Sequence, residues 1–171
     1  LTWEVEDKMK RILSIASMVV LTLGMTSAPA GASATQGSAV AALNCQHSQG
    51  AGSIVSADHV EGPWGAIGAV QLCRSGSYYW AYVVEYEPVP RNAWAIAHLF
   101  RYQNGVKNGV WSCNSSGGNG HIEPGQTMCW TPRIYAPSSS ITFMATGRDC
   151  WGTYDTCDPS TNSYGQTLRT R

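Results

Sequence analysis

The side chains that could do chemistry in this sequence are its histidines, acids, serines and cysteines, and their spacing limits what that chemistry can be. The four histidines stand far apart, at 47, 59, 98 and 121. "DH" at 58–59 sets an acid beside an imidazole, the pairing that orients a general base, but no serine lies in a G-x-S-x-G turn to act as its nucleophile. "HIE" at 121–123 has the H-x-E order of zinc deaminases without the P-C-x-x-C that supplies their other ligands. Glycoside hydrolysis needs two carboxylates fixed about one bond, and the acids here fall mostly at turns and form no motif. "DCWGTYDTCD" (149–158) gathers Asp149, Asp155 and Asp158. Its spacing is not that of an EF-hand, so it reads as a solvated loop stapled by its own cysteines. This reading is non-enzymatic, with no catalytic residue, no metal site and no cofactor.

The six cysteines, at 45, 73, 113, 129, 150 and 157, read as cross-links. Short C-x-x-C pairs of the kind a structural zinc uses are absent, and an even number in an exported chain reads as disulfides. Spacing leaves the connectivity open; proximity favours Cys45–Cys73, Cys113–Cys129 and Cys150–Cys157. Export is expected from residues 1–34. Lys8, Lys10 and Arg11 form a basic start, an apolar run follows from Ile12 to Leu23, and Ala32-Ser33-Ala34 fits an A-x-A cleavage site. That run is too short for a membrane span. The acid-rich residues before Met9 fit no signal peptide, so Met9 is the expected initiator and the upstream stretch spurious. With 11 basic and 11 acidic side chains and a formal net charge of zero, no basic stripe points to nucleic acid or to anionic lipid. The mature chain is expected to contact neither nucleic acid nor membrane.

Positioning falls to strands. Short alternating or apolar runs occupy 53–60, 66–73, 78–86, 93–102, 109–113, 127–135 and 140–147, separated by Gly, Pro, Asn and Ser turns. That pattern predicts an all-β fold: a single disulfide-stapled β-sandwich of about seven short strands, or a small barrel, over residues 45–171. "NG" at 104–105 is the best hairpin signal. In 78–86 one face carries Tyr78, Trp80, Tyr82, Val84 and Tyr86; in 93–102 one face carries Trp94, Ile96, His98, Phe100 and Tyr102. Two matching bulky faces are expected to form one side of a core, which buries Trp80, Tyr82, Trp94 and Phe100. It leaves Tyr78, Tyr79 and Tyr86, at the strand ends, exposed.

Two stretches carry resemblances. "TMCWTPRIYAP" (127–137) resembles the reactive-site segment of Streptomyces subtilisin inhibitors, a cysteine-anchored loop offered to a serine protease. The resemblance implies that Arg133 fills a trypsin-like S1 pocket, with Pro132 before it and Tyr135 after. Two extra residues between Cys129 and the candidate bond depart from the family pattern. More broadly, "GAVQLCRSGSYYWAYV", "CWTPRIYAP" and "ITFMATGRDC" are similar to a family of small exported actinobacterial β-domains of undetermined function, through Gly68, Val70, Leu72, Ser75 and Trp80. Cys73 interrupts the match, which implies a fold and no site. Domains of that kind also serve as adaptor subunits in the umbrella-like toxin particles of Streptomyces. The analogy implies a secreted adaptor or structural subunit whose partner is another secreted protein. The candidate contacts are Val40 and Leu43 in the uncharged 35–44 segment, expected to be mobile, His121 in the Gly-rich 114–125 loop, and Tyr78, Tyr79, Tyr86, Arg133 and Tyr135. A serine-protease inhibitor and a carbohydrate-binding module are the alternatives, with an unrecognised hydrolase behind them.

Overall fold

The computed structural model of the chain describes residues 44–152 and 163–171; the expected leader, Val40, Leu43 and Cys157 lie outside them. The described residues form nine strands: β1 Ser53–Gly62, β2 Gly65–Ser75, β3 Tyr78–Glu85, β4 Ala93–Gln103, β5 Val106–Ser112, β6 Met128–Trp130, β7 Ile134–Tyr135, β8 Ile141–Trp151 and β9 Ser163–Gln166. They join in one antiparallel sheet in the order β5-β4-β8-β9-β1-β2-β3-β6, with β7 also on β3. The sheet curls until β2 and β3 pack against β8, and β3 against β4. The result is a half-barrel, the all-β architecture expected of the sequence.

All seven predicted segments contain strand. The 127–135 segment splits into β6 and β7 because Pro132 has no N–H for the ladder. Thr131, fully buried before it, bonds β3 instead, its Oγ1 accepting from the Ala81 N–H at 3.0 Å. The β4–β5 hairpin turns at Asn104 (φ 51°) and Gly105 (φ 84°), the two left-handed positions a type I′ turn requires. β9 has no counterpart in the sequence reading. Its buried positions are Ser163 and Gly165 and its exposed ones Tyr164 and Gln166, so it shows no hydrophobic alternation.

The core uses both faces of β3. The concave side of the half-barrel mixes small and large residues: Ala81 and Val83 of β3, Ala95, Ala97 and Leu99 of β4 and Ala145 of β8 stand there with Leu72 of β2 and Phe143 of β8. A Cβ on Gly147 would lie 3.0 Å from both Val60 and Val70 and 3.1 Å from Val83. The two halves therefore meet there with no space for a large side chain. Tyr79, expected at the surface, is only 1% exposed and stacks on Phe143 at 4.7 Å. Its parity places it with Ala81 and Val83, facing in.

Trp80 and Tyr82 are buried as expected, but on the convex side, in a second cluster with Val84, Cys45 and Cys73. The turn before β1 covers them. The Cys45–Cys73 disulfide fastens it, Gln46 accepts from Trp80 Nε1 at 3.2 Å, and His47 packs on Trp80 and Trp130. On β4, Trp94 and Ile96 are buried while His98, Phe100 and Tyr102 are half-buried. Phe100, expected in the core, instead lies under the Lys107 ammonium at 5.4 Å.

Cys113–Cys129 is the second described disulfide, as expected. Cys150 is disulfide-bonded too, and its expected partner lies outside the described residues. The 114–125 loop is held along its length. Ile122 bridges to Ala95 and is fully buried, Asn119 accepts from the Trp130 N–H at 2.7 Å, and Asn114 accepts from the His121 N–H at 2.8 Å.

Candidate functional site

The residues proposed for contact do not gather in one place. Tyr78 and Tyr135 face each other across β3 and β7, half exposed, with rings 5.3 Å apart. Tyr86 is exposed past the other end of β3, roughly 26 Å away along an extended strand, and its hydroxyl bonds His59 Nδ1 at 3.0 Å. Tyr79 is removed from the set by its burial. His121 is half-buried, set edge-on to Trp94, with Glu123 at 3.9 Å. Arg133 stands over the Trp80 ring, 4.4 Å from its centre, and donates to the Gly50 carbonyl.

A different group of side chains does converge. Adjacent strands alternate in direction from β8 through β9, β1 and β2 to β3, so β3 and β8 run the same way and end at the same rim. Period two along β3 puts Glu85 on the concave face after Tyr79, Ala81 and Val83, and along β8 it puts Asp149 there after Phe143, Ala145 and Gly147. Both acids line one cleft of about 170 Å³. Pro63 and Trp64, in the turn between β1 and β2, form one wall; Pro88, Val89 and Pro90, in the loop after β3, form another. That loop is anchored by hydrogen bonds from Val89 N to Gln126 O at 3.0 Å and from Gly125 N to Val89 O at 2.8 Å. Trp151 and Ser163 close the side nearest β8 and β9.

Glu85 and Asp149 are 5% and 6% exposed, and Glu85 Oε1 and Asp149 Oδ1 have no hydrogen-bond partner. Glu85 lies across from Gly68 in the β2–β3 register. A Cβ there would come within 2.7 Å of Oε2, so the glycine makes room for the carboxyl. Burial, and secondly the charge of Asp149, pushes the Glu85 pKa up to about 8. Burial also raises Asp149, against a backbone hydrogen bond from Cys150 that favours its charged form. Glu85 therefore carries its proton at neutral pH. Buried polar atoms are nearly always paired, and perturbed acids in a cleft mark functional sites. Such a pair can hold a proton, pass it to a bound group, or bind a cation that replaces it.

No sequence motif marks these two carboxylates as a pair. The available signal was parity, which puts Glu85 and Asp149 at the ends of two inward-facing rows. Among the described residues no group of three or more His, Cys, Asp or Glu is placed to hold a metal ion. Neither a protein-family model, nor a curated protein, nor a solved structure matches the chain.

Proposed function

We propose that this chain works outside the cell by contact with another protein, as an adaptor or structural subunit of an extracellular assembly, and not by catalysis. The observation that carries this is Trp64, an indole 91% exposed at the tip of the β1–β2 hairpin. Single exposed aromatics are ordinary, but this one stands over a cleft whose other rim holds the exposed Trp151. Exposed Tyr164 is nearby, paired with Glu61 at the base of the same hairpin. Tryptophan and tyrosine around a recess is the anatomy of an interface hot spot. The disulfides support an oxidising compartment.

Affinity purification with the tagged protein from culture supernatant of the producing strain tests the reading. A stoichiometric protein partner is expected, and Trp64→Ala should release it while leaving the melting curve unchanged. A partner retained undiminished by Trp64→Ala overturns the assignment of this rim. Two tryptophans beside hydrogen-bonding acids also suit a sugar, so retention on chitin or cellulose, lost in the same variant, would favour carbohydrate binding.

A further inference from the structure

The cleft between β3 and β8 has a charge character that the contact reading leaves unused. Among the described residues that line it, three, Glu85, Glu87 and Asp149, are acids, and none is Lys, Arg or His. Its remaining wall is mostly apolar, made of prolines, Val89, Ile67 and the two tryptophans. Glu85 and Asp149, both more than nine-tenths buried, line it, and each has a carboxyl oxygen without a hydrogen-bond partner. Burying an unpaired carboxylate is costly unless a cation or several donors meet it, and among the described residues the lining holds no cationic side chain.

We propose that this cleft is a receptor for one lysine side chain of the protein partner, its ammonium seated between Glu85 and Asp149 and its methylene stem along the proline and tryptophan walls. The inference rests on the contact reading and names the chemistry of that contact. An ammonium is compact and has three donors, enough for both orphan oxygens. Its four-carbon stem buries apolar surface while the head is paired. Trp64 and Trp151 add the attraction of an aromatic face for a cation. A guanidinium needs a wider, flatter seat, and a neutral alcohol leaves at least one carboxyl oxygen without a donor. Glu85 is protonated in the empty cleft because burial and Asp149 disfavour a second charge. Seating the ammonium supplies the missing counter-charge, so Glu85 gives up its proton to solvent as the cation enters. Among the described residues, Glu85, Asp149 and Glu87 are the titratable groups that line the cleft.

Titration of the full secreted protein with n-butylammonium chloride at constant ionic strength, followed by tryptophan fluorescence and calorimetry, tests this without the partner. Saturable one-to-one binding is expected, tighter at pH 8.5 than at pH 6, with release of protons to the buffer. Glu85→Gln and Asp149→Asn, both isosteric, should each weaken it at least tenfold with the melting transition retained. n-Butanol should compete poorly, and n-butylguanidinium should bind more weakly. No saturable binding, equal binding of the alcohol, or tighter binding of the guanidinium overturns the proposal. A partner still captured undiminished by Glu85→Gln leaves the contact reading intact and removes the lysine assignment. Butylammonium binding with no protein partner in the supernatant does the reverse.

Discussion

Glu85 ties the stability of this domain to pH in a definite direction. Its carboxyl titrates near 4.5 when exposed and at about 8 in the fold. Between those values the native state holds a proton that the unfolded chain does not, so stability is full below about 4.5 and is lost as pH rises toward 8. Asp149, raised as well, adds to the same trend. Denaturant unfolding should show a fall on the order of a few kcal/mol from pH 5 to pH 8, and Glu85→Gln should flatten most of it. Stability that climbs over that range would contradict the buried pair. A second residue-scale test lies at Tyr79, whose hydroxyl is buried without a partner. Removing an unsatisfied polar group relieves its desolvation cost, so Tyr79→Phe should leave stability unchanged or raise it by ~1 kcal/mol. A loss as large as that of an aromatic truncation would mean that the hydroxyl is paired.

Among the elements, the cover over Trp80 depends most on a single bond. Cys45–Cys73 fixes the turn that shields Trp80 and Tyr82. Replacing both cysteines by serine should cost ~2–4 kcal/mol and shift tryptophan emission to the red as water reaches the indole. Emission that stays put would place the hold in the Gln46 and Gln71 hydrogen bonds instead. This same region shows what sequence pattern can and cannot give. Strands were legible wherever apolar residues alternate, and the Asn104-Gly105 turn was legible because few other pairs accept two left-handed positions. β9 was not, because Ser163 and Gly165 carry no hydrophobic signal. Side-chain size reads the buried faces of β3 and β4 only in part: Trp80, Tyr82 and Trp94 are buried as their size suggests, but Tyr79 is buried too and Phe100 only half-buried. Both faces of β3 are covered, one by the curl of the sheet and the other by the turn before β1, so size alone does not tell which face points inward.

For the whole molecule, closure of the half-barrel turns on Gly147, which faces Val60, Val70 and Val83 from three strands at once. None of the three can yield without displacing its neighbours, so Gly147→Ala should destabilise by ~1–3 kcal/mol as an overpacked site. A rise in melting temperature would mean that the halves sit further apart. The Glu85–Asp149 pair belongs to this scale too. The two acids are remote in the chain, and no local window contains both; they meet only because β3 and β8 travel in one direction and stop at one rim. A site of that kind is written in topology, and a motif search has no means of seeing it.

This two-sided packing also decides where the sequence has room to vary. On the concave wall the alanines and Gly147 already stand at the lower limit of side-chain size, so a mutation there can hardly do anything but enlarge. On the convex wall Trp80 and Tyr82 stand near the upper limit, and nearly every mutation shrinks. Drift is therefore opposed from both ends by different penalties, crowding within and voids beneath the cover. The segments with latitude are those that touch neither wall, and the Trp64 hairpin tip is one of them. The hairpin tip can therefore change in sequence while the walls that carry it cannot.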